Sequence, residues 1–354
     1  MMERVLGFWL LFCGGICSLW YAACTNSTTR TLPVIRYLTK VGEIEKGFSS
    51  EGENYFWKIS SLCCDRENRL FVSDSGWNKI FVFDSMGKFL RSIGRAGQGP
   101  GEFMANPKSN ALKINLGNNG KLCVLDSDSS RFSVFDQNLA LEKTYVLNSQ
   151  GPRIFDTPQV NLNGEVFLVS YFQEHLIQCF NKQMQWQRGV LEGKYHFPPS
   201  LRDKSTEPAR LFSNEHHLQK VLTKDDRLYV LSNFALRVYG FDERLRQTSE
   251  IDLRKNYLFF ENYQRRIRAA KGRKGYLLPF VMFLDQYENL SLGYYNEDYH
   301  NWEIYIYSQT GEFKEILRIR EKVYPPIRVD SSGIFYMADE ERIRIMKYKI
   351  KEES

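Results

Sequence analysis

The sequence contains few of the residues and spacings on which metal centres and nucleophilic sites depend. Its 354 residues include five histidines, of which only His216 and His217 are neighbours in the chain. It has no Cys-x-x-Cys pair and no Gly-x-Ser-x-Gly nucleophile elbow. A zinc or copper lyase would need several histidines at one place, and a serine hydrolase would need the elbow. We therefore expect no metal centre and assign no catalytic residue.

Cysteine is too sparsely placed for a disulfide framework. Cys13 and Cys17 lie in an N-terminal apolar segment, and Cys24 follows that segment. Adjacent residues of a strand point to opposite faces, so a bridge between Cys63 and Cys64 would be strained. We expect the remaining four cysteines to be buried free thiols, namely Cys63, Cys64, Cys123 and Cys179.

Positive charge is not in sufficient excess to indicate a nucleic-acid partner. The formal net charge is +6 at pH 7, and the basic residues are dispersed along the chain. No aromatic RNA-binding signature accompanies them. We therefore expect no nucleic acid among the partners.

A pattern of two short apolar strands recurs along most of the chain. The clearest copy covers Asn68–Asp74 and Asn78–Asp84, and the next covers Gly120–Asp126 and Arg131–Asp136. Six copies can be followed, and each marks the second strand of a blade; these strands lie near Leu70, Leu122, Val166, Leu228, Leu290 and Ile334. One small sheet cannot bury both of its faces, so a strand repeat of this length predicts a ring of blades. The fold class that we predict is all-β, a six-bladed β-propeller of four-stranded antiparallel blades.

The last repeat is one strand short, which predicts how the ring closes. It offers strands at Pro326–Val329, Ile334–Met337 and 342–347. The segment Val34–Gly42 precedes the first full repeat and resembles the fourth strand of the first blade, Gly87–Gly94. We expect this N-terminal strand to close the last blade and to hide two sheet edges. The predicted division is a signal peptide over residues 1–23, a tether over 24–31 and the propeller over 32–354.

The connector between the first two blades carries a family resemblance. Ile93–Phe103 reads Ile-Gly-Arg-Ala-Gly-Gln-Gly-Pro-Gly-Glu-Phe and is followed by Pro107. It resembles the connector of NHL-repeat propellers, and the chain is most similar to bacterial six-bladed propeller lipoproteins of the NHL-like or TolB-like type. The resemblance is specific over residues 34–136 and rests on the strand pattern over 137–349. It implies a propeller held at the cell envelope.

The glycines of this connector are also compatible with a phosphate-binding loop. Such a loop must open a helix, whose N-terminal amides hold the phosphate. Here Pro107 and the strand-like Ala111–Ile114 follow within a few residues. We therefore expect a turn between two blades, in which glycine allows the backbone to change direction.

The N-terminus has the features of a targeting segment. An apolar run from Val5 to Ala23 ends in Tyr21-Ala22-Ala23-Cys24, which resembles a bacterial lipobox whose Cys24 is lipidated. The alternative is an uncleaved anchor helix, because nearly twenty apolar residues can span a bilayer. Both alternatives place the propeller at the cell envelope, facing the periplasm. Thr25 in place of Asp points to the outer membrane rather than the inner one.

The segment between blades four and five is strongly basic. Residues 254–275 carry eight Lys or Arg residues against the single acidic Glu261. Phe259, Phe260 and Tyr263 recur at helical spacing and predict a short amphipathic helix. The helix either packs on the blades with a solvated basic face or docks an anionic partner, such as a lipid head group or an acidic protein loop. The candidate binding residues are Arg265, Arg266, Arg268, Lys271, Arg273 and Lys274.

Two other groups of residues have a structural and a functional interpretation. A Ca²⁺ site of a lactonase-type propeller could use Asp74, Asp126 and Asp128, but we expect these residues to cap turns and expect no cofactor. Blade five is rich in aromatic residues, which we expect to pack in the core rather than to stack on carbohydrate. They are Tyr287, Tyr294, Tyr295, Tyr299, Trp302, Tyr305 and Tyr307.

Three function classes remain open from the sequence. We expect a non-enzymatic, envelope-associated propeller lipoprotein that acts as a ligand- or protein-binding scaffold, because propellers present rigid loops and this chain lacks catalytic spacings. The alternative is a hydrolase, lactonase or lyase that depends on a metal in the channel. A sensor or carbohydrate-associated protein is the third class. The expected partners are the membrane, through the N-terminal lipid, and an envelope protein or anionic ligand.

Overall fold

Short antiparallel strands, each followed by a tight turn, make up nearly all of the regular structure. The computed structural model describes residues 33–45, 55–108, 111–147, 156–169, 175–192, 218–233, 235–269, 281–296, 301–321, 323–339, 341 and 343–351, without the side chains of 266–269 and 295–296. Residues 35–354 form one compact unit.

The first three blades are separate four-stranded antiparallel sheets whose strands follow one another in chain order. Blade one contains β2 (Ile59–Cys64), β3 (Leu70–Asp74), β4 (Lys79–Phe83) and β5 (Phe89–Ile93). Blade two contains β6 (Leu112–Leu116), β7 (Leu122–Asp126), β8 (Arg131–Phe135) and β9 (Leu141–Val146). Blade three contains β10 (Gln159–Val160), β11 (Val166–Val169), β12 (His175–Phe180) and β13 (Trp186–Glu192).

The last three blades repeat this order, and one helix follows blade four. Blade four contains β14 (Leu218–Leu222), β15 (Leu228–Ser232), β16 (Arg237–Phe241) and β17 (Gln247–Asp252). A 3-10 turn (Leu253–Lys255) and helix α1 (Tyr257–Ala269) come next. Blade five contains β18 (Val281–Leu284), β19 (Leu290–Asn296), β20 (Asn301–Tyr307) and β21 (Phe313–Ile319). Blade six contains β22 (Val323–Val329), β23 (Phe335–Asp339), β24 (Ile345–Ile350) and the N-terminal β1 (Val34–Ile44).

The six blades form a closed ring. The first strand of each blade contacts the first strand of the next, and β22 of blade six contacts β2 of blade one. Six clusters of buried side chains occupy the described part of the chain, one between each pair of neighbouring blades. Each blade therefore buries both of its faces against its neighbours, as the repeat predicts.

The closing strand β1 confirms the predicted closure and extends it. It pairs antiparallel with β24, from Leu38 opposite Ile350 to Ile44 opposite Ile345. In the sheet order β1 also lies beside β21, so blades five and six form one eight-stranded sheet. Arg36 of β1 pairs with Glu315 of β21 across this junction. The outer edges of two blades are thus covered by a single strand.

Side-chain acceptors close the turns within the blades. The backbone N–H of Lys88 donates to Asp84 Oδ1 at 2.8 Å after β4, and that of Arg246 donates to Asp242 Oδ1 at 2.8 Å after β16. Asp side chains favour such turns because they mimic a backbone acceptor. In both places an aromatic residue precedes the Asp, as Phe83-Asp84 and Phe241-Asp242, so this pair of residues is a turn signal.

The connector Ile93–Phe103 is a turn between blades, as predicted, and β6 follows it as a strand. Gly94 and Gly101 have φ of +82° and +75°, in the left-handed region that favours glycine. The Glu102 carboxylate accepts from the Gly99 N–H at 2.7 Å and from Arg95 Nε at 2.7 Å. The Gly99 N–H is thus bonded to Glu102, whereas a phosphate-binding loop would leave such an N–H for its ligand.

Candidate functional site

The first strands of the blades surround a central cavity. Each of the six blades contributes to its lining, because the first strands are mutual neighbours around the ring. The cavity encloses about 760 Å³ when its open mouth is included. Its lining residues are Ser60, Ser61, Lys113, Asp156, Thr157, Leu218, Gln219, Lys220, Val281, Met282, Phe283, Pro325, Pro326, Ile327 and Arg328.

This channel lining is rich in positive charge. Lys113 lies on β6, Lys220 on β14 and Arg328 on β22. Among the described residues of the lining, Asp156 is the one carboxylate. Cationic side chains therefore outnumber carboxylates among the described residues of the lining, and clefts with such an imbalance attract ligands of the opposite charge.

Lys220 is held by blade three. Its ammonium donates to the Asp156 carboxylate and, at 2.9 Å, to the Thr157 carbonyl. The other Asp156 oxygen accepts from the Val169 N–H at 3.1 Å. The Lys220 side chain is 0% exposed, and this burial lowers its pKa, whereas the adjacent carboxylate favours the charged form. The pair therefore fastens blade four to blade three in the channel wall.

Arg328 is differently placed, because no carboxylate of the described residues forms an ion pair with it. Its Nη1 donates to the neighbouring Ile327 carbonyl at 2.9 Å. Burial lowers its pKa, although a guanidinium stays charged in proteins. The side chain is only partly buried because the cavity beside it gives it accessible surface. A guanidinium has five N–H donors, so most of its hydrogen-bonding capacity is not used by this carbonyl.

Neutral polar residues fix the geometry of the wall between blades. The Ser61 hydroxyl donates to the Ile114 carbonyl of blade two at 3.2 Å. Gln219 Oε1 accepts from the Met282 N–H of blade five at 2.7 Å. These bonds cross blade boundaries, so the channel lining is a rigid surface rather than a set of independent loops.

The repeated Asp residues cap turns, as predicted. The carboxylate of Asp74 accepts from the N–H groups of Trp57, Lys58, Gly76 and Trp77, at distances between 2.7 and 3.1 Å. Burial raises the pKa of Asp74, and these four donors oppose that rise.

Asp126 and Asp128 have the same role in blade two. Asp126 accepts from the N–H of Met104 at 2.7 Å, and Asp128 accepts from that of Asn106 at 2.7 Å. None of the three Asp residues lines the cavity. Their carboxylates therefore serve the junctions between loops and strands.

Helix α1 confirms the predicted amphipathic helix. Phe259 is buried against Tyr305, with ring centroids 5.4 Å apart. Arg265, the one predicted binding residue whose side chain is described, lies partly exposed and pairs with Glu261 at 2.6 Å. Arg266 and Arg268 lie on α1, but the structure does not describe their side chains. Four other predicted site residues lie wholly outside the described residues: Lys271, Arg273, Lys274 and Cys24.

The aromatic residues of blade five pack in the core wherever they are described, except Tyr287, which is exposed. Tyr294 and Tyr305 stack at 5.7 Å and donate to the buried Glu303 carboxylate at 2.6 and 3.2 Å. Arg318 pairs with the other Glu303 oxygen at 2.9 Å. Burial raises the pKa of both tyrosines. This cluster is an internal network beneath α1, which removes it as a carbohydrate-stacking surface.

An aromatic cluster that sequence reasoning missed lies exposed on blade one. Trp77 contacts Tyr55 and Trp57 edge to face, with ring centroids 5.2 and 5.5 Å apart. Trp57 is 52% exposed, and Trp77 Nε1 donates to the Tyr55 carbonyl at 3.1 Å. Because β2 begins just after Trp57, the cluster lies on the face where the first strands begin, at the same end as Ser60 of the channel.

One histidine and four cysteines lie within the described residues. His175 begins β12, and the other four histidines lie outside the described residues. Cys63, Cys123 and Cys179 are buried free thiols, as expected, whereas Cys64 is a free thiol that is only partly buried. Burial raises the pKa of Cys123 to about 12.

No cluster of three or more His, Cys, Asp or Glu side chains is arranged to hold a metal ion within the described part of the chain. Among the described helices none combines the length and the apolar character needed to cross a membrane, and α1 has only 13 residues.

Sequence reasoning did not identify the charged residues of the channel, although a signal exists. Lys113 interrupts the apolar strand Leu112–Leu116, and Lys220 interrupts Leu218–Leu222. A charged residue within a buried first strand is unusual unless it faces a cavity or a partner. The signal becomes specific only once the ring shows which strands share a channel.

Comparison with known proteins agrees with this architecture. Residues 51–162 match the model of the DUF5128 family, which is described as a 6-bladed beta-propeller. No curated protein sequence matches the chain at a significant level.

Solved structures resemble the whole ring at low sequence identity. A member of the duf4221 family from Bacteroides vulgatus ATCC 8482 is 11% identical, with a TM-score of 0.58 over 89% of this chain and 98% of that chain. A presumed exported protein from Bacteroides fragilis NCTC 9343 is 11% identical, with a TM-score of 0.54 over 90% and 100%. A streptogramin B lyase is 12% identical, with a TM-score of 0.51 over 88% and 97%. These likenesses support the fold alone. The chain is therefore a six-bladed β-propeller, and over residues 51–162 it matches the DUF5128 family of such propellers.

Proposed function

We propose that this chain is a non-enzymatic binding propeller of the cell envelope, whose ligand occupies the central channel. One observation carries the proposal: all six blades contribute to a single cavity whose lining includes charged side chains from four of them. Binding sites of small ligands are commonly concave, preformed and lined by a few well-placed polar groups. The channel is concave, and polar and apolar residues from all six blades line it, which suits a small molecule.

The lining supports binding rather than catalysis. Its carboxylate, Asp156, is engaged by Lys220 and by the Val169 N–H, which leaves it poorly suited to act as a general base. Arg328, which has no carboxylate partner among the described residues, opposes the approach of a divalent cation. A metal-dependent hydrolase or lyase would need the reverse arrangement of charge.

The envelope part of the proposal rests on the N-terminal sequence. Residues 1–23 serve as the signal peptide, Cys24 receives the lipid, and residues 24–31 tether the propeller. The Tyr21-Ala22-Ala23-Cys24 sequence is the supporting observation. A lipid anchor would hold the propeller at the membrane while the channel samples small molecules of the periplasm.

The channel site is tested by ligand retention in the mature, detergent-purified protein. Native mass spectrometry after incubation with a metabolite library would compare wild type with Ser60→Trp, which fills the lining, and with Met86→Trp, which changes an exposed residue. We expect a ligand that wild type and Met86→Trp retain and that Ser60→Trp loses. A ligand kept by Ser60→Trp, or no retained ligand in wild type, would contradict the channel site. A bound compound that is chemically altered over time would show an enzyme.

A further inference from the structure

We infer that the channel ligand carries a small oxyanion, a carboxylate or a phosphate group, and that Arg328 binds this group. The inference rests on the proposed function, because it names the ligand class of the same cavity. The shared chemistry is a planar or tetrahedral group with at least two negatively charged oxygens, which matches the fork of a guanidinium.

The charge of the lining is the first argument. A cationic side chain deep in a protein is unfavourable unless another group compensates its charge. Lys220 has Asp156 as its compensating group, at hydrogen-bonding distance. Within the described residues Arg328 has no such carboxylate, and its one hydrogen bond goes to the Ile327 carbonyl. A ligand oxyanion would supply the missing negative charge.

The place of Arg328 is the second argument. It lies at β22, in the blade that contains both the closing strand and the last repeat, and it shares the cavity with Lys113 of β6. The lining of the same cavity also contains the apolar residues Val281, Phe283 and Ile327. Apolar walls lower the local dielectric and strengthen the attraction between a cation and an anion. Arg328 therefore lacks an anionic partner among the described residues, and the apolar residues of the cavity make the binding of an anion to it more favourable.

Asp156 has a selective role in this arrangement. Its carboxylate is fixed by Lys220 and by the Val169 N–H, so it cannot turn to neutralise Arg328. Asp156 also neutralises the charge of Lys220. The charge that attracts an anion is therefore that of Arg328, which lies in blade six on the other side of the channel. A ligand with one oxyanion and an uncharged remainder would suit this asymmetry.

Isothermal titration calorimetry at low salt tests the inference with three probes: inorganic phosphate, citrate and uncharged glucose. The proteins are wild type, Arg328→Gln, Arg328→Lys and the exposed-residue control Arg66→Gln. We expect wild type and Arg66→Gln to bind phosphate or citrate, and Arg328→Gln to bind the same anion about 10- to 100-fold more weakly, since a charge-assisted hydrogen bond is lost. Arg328→Lys should retain an intermediate affinity, because it keeps the charge and loses the fork. The anion that binds distinguishes phosphate from carboxylate.

Several outcomes would overturn the inference. They are the absence of binding by either anion at millimolar concentration, equal affinity in Arg328→Gln, or binding of Ca²⁺ in place of an anion. Thermal unfolding of Arg328→Gln close to that of wild type shows that a loss of affinity is not a loss of fold. The channel ligand could also prove to be uncharged, so that Ser60→Trp abolishes its binding and Arg328→Gln does not. That result would disprove the oxyanion inference and support the channel as a binding site. If Ser60→Trp displaces nothing, both proposals fail.

Discussion

Lys220 of blade four and Asp156 of blade three form a buried ion pair in the channel wall, and the same ammonium also donates to the Thr157 carbonyl at 2.9 Å. The pair joins two blades that have no strand in common. Buried pairs are only modestly stabilising as a whole, but removal of one partner leaves an uncompensated charge in the interior.

Asp156→Asn should therefore lower the free energy of unfolding by about 3–5 kcal/mol. Asp225→Asn is the matched control, because Asp225 pairs with Arg227 at 2.6 Å while both side chains are substantially exposed. Its effect should stay below about 1 kcal/mol. Urea denaturation measures the free energy of unfolding of both variants. The double variant Asp156→Leu with Lys220→Met should recover most of the unfolding free energy that Asp156→Asn loses. If Asp156→Asn and Asp225→Asn lower the free energy of unfolding equally, the Asp156–Lys220 pair is not buried.

The closing strand can be tested with two positions on β1. Leu38 is 7% exposed and packs in the cluster between blades five and six, whereas Val41 is 55% exposed. Leu38→Asp should lower the free energy of unfolding by about 3 kcal/mol or more, since it buries a charge without a partner. Val41→Asp should change it by less than about 1 kcal/mol. If the two variants unfold at the same urea concentration, β1 does not close the ring.

The cap role of Asp74 predicts that even an isosteric change is harmful. Four backbone N–H groups donate to its two oxygens, so the amide nitrogen that Asp74→Asn introduces would face donors. This substitution should cost about 2–4 kcal/mol of unfolding free energy. Asp136→Asn is the control, because its Oδ1 receives the Ala140 N–H at 2.8 Å and an amide oxygen can replace it. A loss no larger than that of the control would mean that the cap contributes little.

Lipidation of Cys24 predicts a simple labelling result. Cys24→Ala should abolish incorporation of radiolabelled palmitate and leave an unprocessed precursor, because acylation requires that thiol. Cys64→Ala is the control, since Cys64 lies in β2 and should not affect labelling. Palmitate in the Cys24→Ala protein would show that Cys24 is not the lipidated residue, and Met1 at the N-terminus of the wild-type protein would favour an uncleaved anchor.

The basic segment after blade four predicts a salt-dependent interaction. Arg265→Glu, Arg266→Glu and Arg268→Glu together should abolish binding to an anionic membrane or acidic protein, and wild-type binding should weaken as salt rises, because charges are screened beyond about 8–10 Å. A control triple variant reverses the exposed residues Arg66, Lys88 and Arg244. Pull-down from envelope extract and sedimentation with phosphatidylserine vesicles, at low and high salt, provide the measurement. Identical results for the two triple variants would leave α1 as a solvated helix.

The fold could be predicted from the sequence because its signals are local. Each signal can be recognised in a short stretch of sequence. These signals are the repeated strand pair, the Asp residues of the turns and the missing strand of the sixth repeat. Asp74 caps a turn, Phe259 packs on the blades, and Val34–Ile44 closes the ring, as the local patterns indicate.

The site could not be predicted in the same way, because it depends on distance around the ring. Lys113, Lys220 and Arg328 are separated by more than a hundred positions each, and only the arrangement of first strands brings them to one cavity. The exposure of Trp57 and Trp77 likewise depends on how loops of blade one pack. The proposals for Cys24 and for Lys271, Arg273 and Lys274 still depend on the sequence alone.

The position of β1 has a consequence for how the protein is made. Leu38 leaves the ribosome early, yet its partner Ile350 follows more than 300 positions later. Contacts between distant positions form slowly, and unpaired strand edges promote association between chains. The N-terminal strand must stay available throughout synthesis, so the ring can close only when its last strand has emerged. A chain that stops before β24 would retain an open edge however well its first blades had folded.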